Sequence, residues 1–333
     1  MKQKTIFFGI LIFLIFIFNM CTPKSSVPVL KGPYVGQPLP GIEPELFAPG
    51  IITTEYHEHS SPMFSPDGSE VYWSVFYNFW GPQVIMTMRM ENGHWTQPEV
   101  APFSGQYSDG NPCFSEDGQR IFFESRRPVH AGDLYTGETD LWVVERIDSG
   151  WGEPKHLGWK VNSGEWERGP CVCSNENLYF CSIREGGYGK SDIYCAEWKN
   201  GEYSQPINLG SIVNTEGNES FPYVASDESF LIYESASGDL YIHFRKSDGS
   251  WTESINMAEK LRSSGPQDRF PRLSNDGEVF FFVSNRWLGN PYFESKLSLD
   301  EIKKRAKNID NGMGNVFWMD AKIIKELKPK ELK

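Results

Sequence analysis

One pattern recurs five times along this chain of 333 residues, and it restricts the possible folds more than any other feature. Each copy opens on Pro, runs through a short strand into a polar turn, and leaves by an aromatic strand ending in Ser. The copies are Pro62–Ser74, Pro112–Ser125, Pro170–Ser182, Pro222–Ser235 and Pro271–Ser284. In three of them the turn is Asp-Gly (Asp67-Gly68, Asp117-Gly118 and Asp276-Gly277), with Gly free to take positive φ. Asn175-Glu176-Asn177 and Asp227-Glu228-Ser229 replace it in the third and fourth copies. A repeat of about 50 residues made of short strands cannot bury both its faces alone, but copies stacked around an axis cover one another, as in a β-propeller.

Each unit continues into a third strand, at Val84–Met88, Asp140–Val144, Asp192–Ala196, Asp239–His243 and Asn315–Met319. An aromatic follows at Trp95, Trp151, Tyr203 and Trp251, close before a Pro in the first three. That element reads as the outermost strand, since Pro is tolerated at a sheet edge and not in its centre. Four strands per unit and five units specify an all-β, five-bladed propeller. The fifth unit lacks the aromatic–Pro element, while Pro44–Pro49 resembles Pro98–Pro102 between the first two units. The N-terminal segment is therefore expected to add the fourth strand of the last blade and close the ring, leaving no open edge there. The propeller is expected over residues 44–329, with a tail at 330–333. Within it, Ser298 followed by Glu301 and good helix formers predicts a short helix in an insertion at about residues 287–314.

Ahead of the propeller, Lys2 and Lys4 precede an apolar run from Ile6 to Phe18, closed by Cys21. The run is short for a bilayer span and suits a signal-peptide core. Its Cys resembles the lipidated Cys of bacterial lipoproteins, which implies a lipid anchor in the cell envelope, periplasmic or at the outer-membrane surface. Phe18-Asn19-Met20 stands where small residues usually precede that Cys, so secretion and an uncleaved anchor are the alternatives. Residues 22–43, rich in Pro and Ser at their start, read as a tether. The net charge of −12 without a basic block argues against a nucleic-acid partner. The other cysteines, Cys113, Cys171, Cys173, Cys181 and Cys195, are odd in number and cannot all pair. Cys113 and Cys171 share the repeat position of Met63 and Tyr223, which marks them as substitutes for core hydrophobes.

Pro-x-Phe-Ser-x-Asp-Gly, an aromatic pair with Ser, and Asp-Ile/Leu-Tyr/Trp together resemble the TolB-type, WD-repeat-like propeller repeat of bacterial envelope proteins. The resemblance implies a propeller with a binding or assembly role, and it implies no reaction. No serine-hydrolase elbow, P-loop or dinucleotide fingerprint occurs, and His57 and His59 lack the helical spacing of a zinc motif.

The residues just before each repeat Pro would lie at the channel mouth. Three positions upstream stand His59, Asp109, Glu167, Glu219 and Asp268, beside Glu58, Ser108, Trp166, Asn218 and Gln267. Loops on the same face add Arg127, Arg184 and Arg286, each two residues after the repeat Ser, and Tyr77, Trp80, Tyr188 and Trp287. The bland interpretation is that the acids cap strands and pair with those arginines within each blade. The functional one is a ligand-binding mouth in which Asp109, Glu167, Glu219 and Asp268 accept hydrogen bonds, the arginines add charge, and Trp80, Trp166 and Trp287 stack on a sugar or peptide. The expected protein is then a monomeric module with a glycan or protein partner and no required cofactor, although the carboxylates would also suit calcium. The alternative is a carbohydrate-active enzyme, a glycoside hydrolase or lyase, using two of the carboxylates.

Overall fold

The computed structural model describes residues 30–78, 81–130, 132, 137–263, 267–288, 296–309 and 311–332. The signal-like segment with Cys21, the first part of the tether, and Trp80 lie outside the described residues. The rest is a five-bladed β-propeller of antiparallel sheets.

From axis to rim, blade 2 runs Asp109–Phe114, Arg120–Ser125, Asp140–Ile147 and Lys155–His156; blade 3 runs Glu167–Val172, Leu178–Ser182, Asp192–Ala196 and Ile207–Asn208. Blade 4 follows with Glu219–Val224, Phe230–Ser235, Leu240–Phe244 and Ile255–Asn256. In blade 1 the inner strand is split into His57–Glu58 and Met63–Phe64, beside Glu70–Phe76, Gln83–Glu91 and Glu99–Val100. Blade 5 consists of Asp268–Leu273, Val279–Ser284 and Asn315–Asp320, and Glu45–Leu46 adds its fourth strand by pairing with Trp318 and Phe317. The expected closure by the N-terminal segment is thus observed.

Strand alternation explains why the strands are apolar on both faces. Successive side chains point to opposite sides of a blade, and each side meets a different neighbour. Ile121 and Phe123 pack toward blade 1 with Tyr72 and Ile85, whereas Phe122 packs toward blade 3 with Leu178 and Phe180. Separate apolar clusters fill the interfaces of blades 3 with 4, 4 with 5, and 5 with 1. Phe47, fully buried on the closing segment, sits 4.8 Å from the Trp318 ring and 5.1 Å from that of Phe281.

Three details differ from the sequence expectation. Trp95, Trp151 and Tyr203 do not lie in the outermost strand itself; they form short hairpins on the end of the third strand or just after it, and the outermost pairing resumes beyond the Pro. Pro has no N–H to donate, so the edge strand breaks there. Leu30 to Gly36, expected in a tether, pack on the propeller: Trp95 donates to the carbonyls of Leu30 and Gly32, and the Tyr34 hydroxyl donates to Asp276. After the last strand a helix, Lys322–Leu327, buries Ile323 and Ile324 between blades 4 and 5. The capping box at Ser298 forms as expected, on an exposed helix, Leu299–Arg305.

Candidate functional site: a mouth at the seam of the ring

The inner strands place their first residues on one face, together with the connections that enter each blade and those after each second strand. The acids at these starts are buried. Asp109, Glu167, Glu219 and Asp268 are 0–2% exposed. Glu167 accepts from Ser163 N and Oγ, Ser182 Oγ and, at 3.0 Å, Arg184 Nη2. Arg184 also donates to Ser182 Oγ and the Val161 carbonyl, and stacks on Phe180 and Tyr194. Arg127 does the same for Asp109, Ser125 and the Phe103 carbonyl, and Arg286 for Asp268, Ser284 and the Leu261 carbonyl. Each arginine therefore staples the incoming loop, the inner strand and the second strand of its own blade. Blade 4 has no such arginine; Glu219 is held by Thr215, and burial raises its carboxyl above the usual range.

Strand register changes one assignment. Glu58 pairs with Val75 in blade 1, as Asp109 pairs with Ser125 in blade 2. Blade 1 carries one more residue than the others between this pair and its Pro, so counting back from Pro62 lands on His59 instead of Glu58. Glu58 is the fifth member of the acid ring: it accepts from Thr54 N and Oγ1, as Glu219 does from Thr215. Burial raises its carboxyl well above the usual range. His59 belongs with Gly110, Arg168, Ser220 and Arg269, the residues that follow the acids.

Two members of that second layer, His59 and Arg269, face open space. A cavity of about 290 Å³ opens between blades 1 and 5, lined by His57, His59 and Phe76 on one side and Gln267, Arg269 and Asn285 on the other. None of Asp109, Glu167, Glu219 and Asp268 lines it. Gly312 and Gly314 close its edge; a Cβ at Gly314 would meet the Glu58 carbonyl at 2.8 Å, and one at Gly312 would lie 3.4 Å from the Trp287 ring. Arg269 Nε donates to Glu234 at 2.8 Å, and its guanidinium lies over the Phe270 ring. His59 Nδ1 pairs with Gln83 Oε1 at 3.1 Å, which makes Nδ1 the donor and leaves the lone pair on Nε2. Burial, reinforced by Arg269, pushes the His57 pKa down to about 4 and that of His59 well below its usual value. Both imidazoles are neutral at pH 7. At the same level Arg168 stacks 4.1 Å over Trp166, and its Nε is buried without a hydrogen-bond partner.

Below this layer the channel narrows. Asn111, Gly169, Phe221 and Phe270 take positive φ in bulges just before Pro, and the Phe221 and Phe270 rings meet at 4.4 Å. The space left among them is about 10 Å³, room for about one water. Left-handed backbone is rare for a bulky aromatic, so packing from neighbouring blades holds these rings across the axis. Gly169 is required beside them, because a Cβ there would lie 2.9 Å from Phe221 Cα. A second cavity, about 350 Å³, lies on the other side of the waist.

The mouth face carries a further signal. Every strongly exposed Trp or Tyr among the described residues (Tyr56, Tyr77, Trp159, Trp166, Tyr188 and Trp287) lies in connections on this face. Among the described residues no group of three or more His, Cys, Asp or Glu is arranged to hold a metal ion.

The fold and site define a five-bladed propeller with a mouth cavity at its closure seam. No family model and no curated protein sequence matches the chain. Similar solved structures include a TolB candidate from Agrobacterium tumefaciens, 19% identical with a TM-score of 0.45, matched over 68% of this chain and 69% of that one. An alpha-L-arabinofuranosidase from Lactobacillus brevis is 13% identical, TM-score 0.46, over 81% and 91% of the two chains. A puromycin-hydrolyzing peptidase from Mycobacterium tuberculosis is 13% identical, TM-score 0.40, over 80% of this chain but only 42% of its own length. These likenesses concern the fold alone; the architecture rests on the strand pairing described above.

Proposed function

We propose that this chain is a recognition module of the bacterial cell envelope, tethered through Cys21, that binds a glycan or peptide at the seam mouth. The observation that carries the proposal is that every strongly exposed Trp and Tyr among the described residues lies on the face where the mouth cavity opens. Aromatic faces stack on sugar rings and on peptide side chains, and a rim of them on a soluble surface is otherwise unfavourable. The polar groups set in the largely apolar lining favour a ligand that both packs and hydrogen-bonds. Arg269, Gln267 and Asn285 offer donors, and Arg168 has a buried Nε–H with no protein acceptor. The acids Asp109, Glu167, Glu219 and Asp268 act in this proposal as staples that hold the mouth, while His59, Arg269, Trp166 and Trp287 contact the ligand.

The test is a binding screen of glycans, peptidoglycan fragments and peptides against residues 27–333, with products followed by mass spectrometry. Saturable binding without turnover, weakened by Arg269→Gln and Trp287→Ala, supports recognition. Turnover would move the assignment to a carbohydrate-active enzyme, and binding insensitive to both substitutions would remove the mouth from it.

A further inference from the structure

The cavity on the far side of the waist has a different chemistry. The residue after each repeat Pro points to it, and around the ring these are Met63, Cys113, Cys171, Tyr223 and Arg272. Two thiols, a thioether and a guanidinium thus share one chamber of about 350 Å³, whose rim reaches the exposed Glu116 and Asn275.

Cys113 sits against Cys171, the Val172 backbone of the next blade and Arg272, and its thiol donates to the Phe114 carbonyl at 3.6 Å. Arg272 Nη1 also reaches Met63 Sδ at 2.8 Å. Cys171 in turn accepts from the Val224 N–H, one blade further on, at 3.2 Å. Thiolates are stabilised by such donors and by a nearby guanidinium. The neighbouring Cys171 thiol, with Arg272 beside it, brings the Cys113 thiol down to about 6, while Cys171 itself is pushed well above its usual value. Cys173, Cys181 and Cys195 are also free and buried, but burial raises all three.

We propose that Cys113 and Cys171 form a dithiol site at the base of the channel, with Cys113 as the attacking thiolate, Cys171 as the resolving thiol and Arg272 as the positioning cation, reactive toward small-molecule disulfides. The Cys113 thiolate attacks one sulfur of the disulfide, forming a mixed disulfide and expelling one thiolate. Deprotonated Cys171 then attacks the Cys113 sulfur, closing a Cys113–Cys171 bond between blades 2 and 3 and expelling the second thiolate. The two protein thiols are oxidised, the small disulfide is reduced to two thiols, and the two protons lost from the cysteines finish on those leaving groups. The waist separates this chemistry from the mouth, so the inference is independent of the ligand proposed there.

The experiment treats the full chain, folded and reduced, with oxidised glutathione and maps its peptides without reduction, alongside timed iodoacetamide labelling of the untreated protein. The expected product is a Cys113–Cys171 disulfide. Cys171→Ser should stall with glutathione on Cys113, and Cys113→Ser should leave Cys171 unmodified. In the labelling arm Cys113 should react at least ~10-fold faster than Cys173, Cys181 or Cys195, as expected for a thiolate-rich sulfur. Arg272→Gln, checked for an unchanged melting curve, should slow it about 10-fold. Equal labelling of Cys113, Cys171, Cys173, Cys181 and Cys195, no adduct on Cys113 in the Cys171→Ser protein, or an Arg272→Gln rate equal to wild type would each overturn the proposal.

Discussion

The Ser-x-Arg staple makes a strong demand on stability that can be measured in blade 3. Arg184→Met keeps the aliphatic bulk over Phe180 and Tyr194 but removes the 3.0 Å contact to Glu167 and the donors to Ser182 and the Val161 carbonyl. The partners are 13% and 0% exposed, so solvent screens the lost pair little. Removing one partner of a buried pair costs about 3–5 kcal/mol. Glu167 retains bonds from Ser163 N, Ser163 Oγ and Ser182 Oγ, which puts the expected loss at the low end, about 3 kcal/mol. For a chain of this size that is a fall in Tm of roughly 4–5 °C. Blade 4 shows what the variant becomes, since Glu219 lacks an arginine and burial raises its carboxyl. Urea and thermal unfolding at pH 7 should show the loss. Arg184→Met with Glu167→Gln should recover about 2 kcal/mol, leaving about 1 for the Val161 carbonyl without its donor. A loss under about 1 kcal/mol at pH 7, or a double variant no better than the single, would refute the staple.

Glu58→Gln isolates a second buried carboxyl. Because burial raises Glu58 above 4.5, the wild type loses stability as pH climbs from that value through the folded one, and the variant does not. The stability difference should therefore move in favour of the variant between pH 4.5 and neutrality; a pH-independent difference would contradict the assignment. Phe47→Ala on the closing strand should cost about 3–5 kcal/mol and admit protease at the seam of blades 1 and 5, read by limited proteolysis. Gly314→Ala places a Cβ against the Glu58 backbone and His57, and should cost about 1–3 kcal/mol while abolishing ligand binding at the mouth, measured by calorimetry on the folded variant.

The architecture was legible because the repeat states it five times, and the missing outer strand of the fifth unit pointed to Glu45–Leu46 as its replacement. The acid ring was legible as a set, but its direction was not. Whether Asp109 faces ligand or loop depends on Ser104 and Arg127 lying within reach, which only the folded blade decides. His59 was drawn into that ring by counting from Pro62, and the single extra residue in blade 1 leaves no mark in composition or periodicity. Once shifted, it stands beside Arg269, which counting from the repeat Pro had passed over. The waist was also hidden, since Phe221 and Phe270 resemble ordinary strand residues until their positive φ swings them across the axis. A clue did exist for the base of the channel: Cys113 and Cys171 share one repeat position, and equivalent positions on inner strands meet around a propeller axis.

The most direct measurement compares the affinity of the tightest ligand from the screen for wild type, Arg269→Gln and Glu219→Gln, each confirmed folded by its melting curve. Arg269 belongs to the layer that lines the mouth, and Glu219 to the buried ring of acids at the strand starts. Loss of a charged hydrogen bond of about 1.5–3 kcal/mol predicts roughly a 10- to 150-fold weaker Kd for Arg269→Gln. Glu219→Gln, with no contact to ligand, should stay within about twofold of wild type. The opposite pattern, binding lost with Glu219→Gln and kept with Arg269→Gln, would return recognition to the carboxylate ring and contradict the seam mouth.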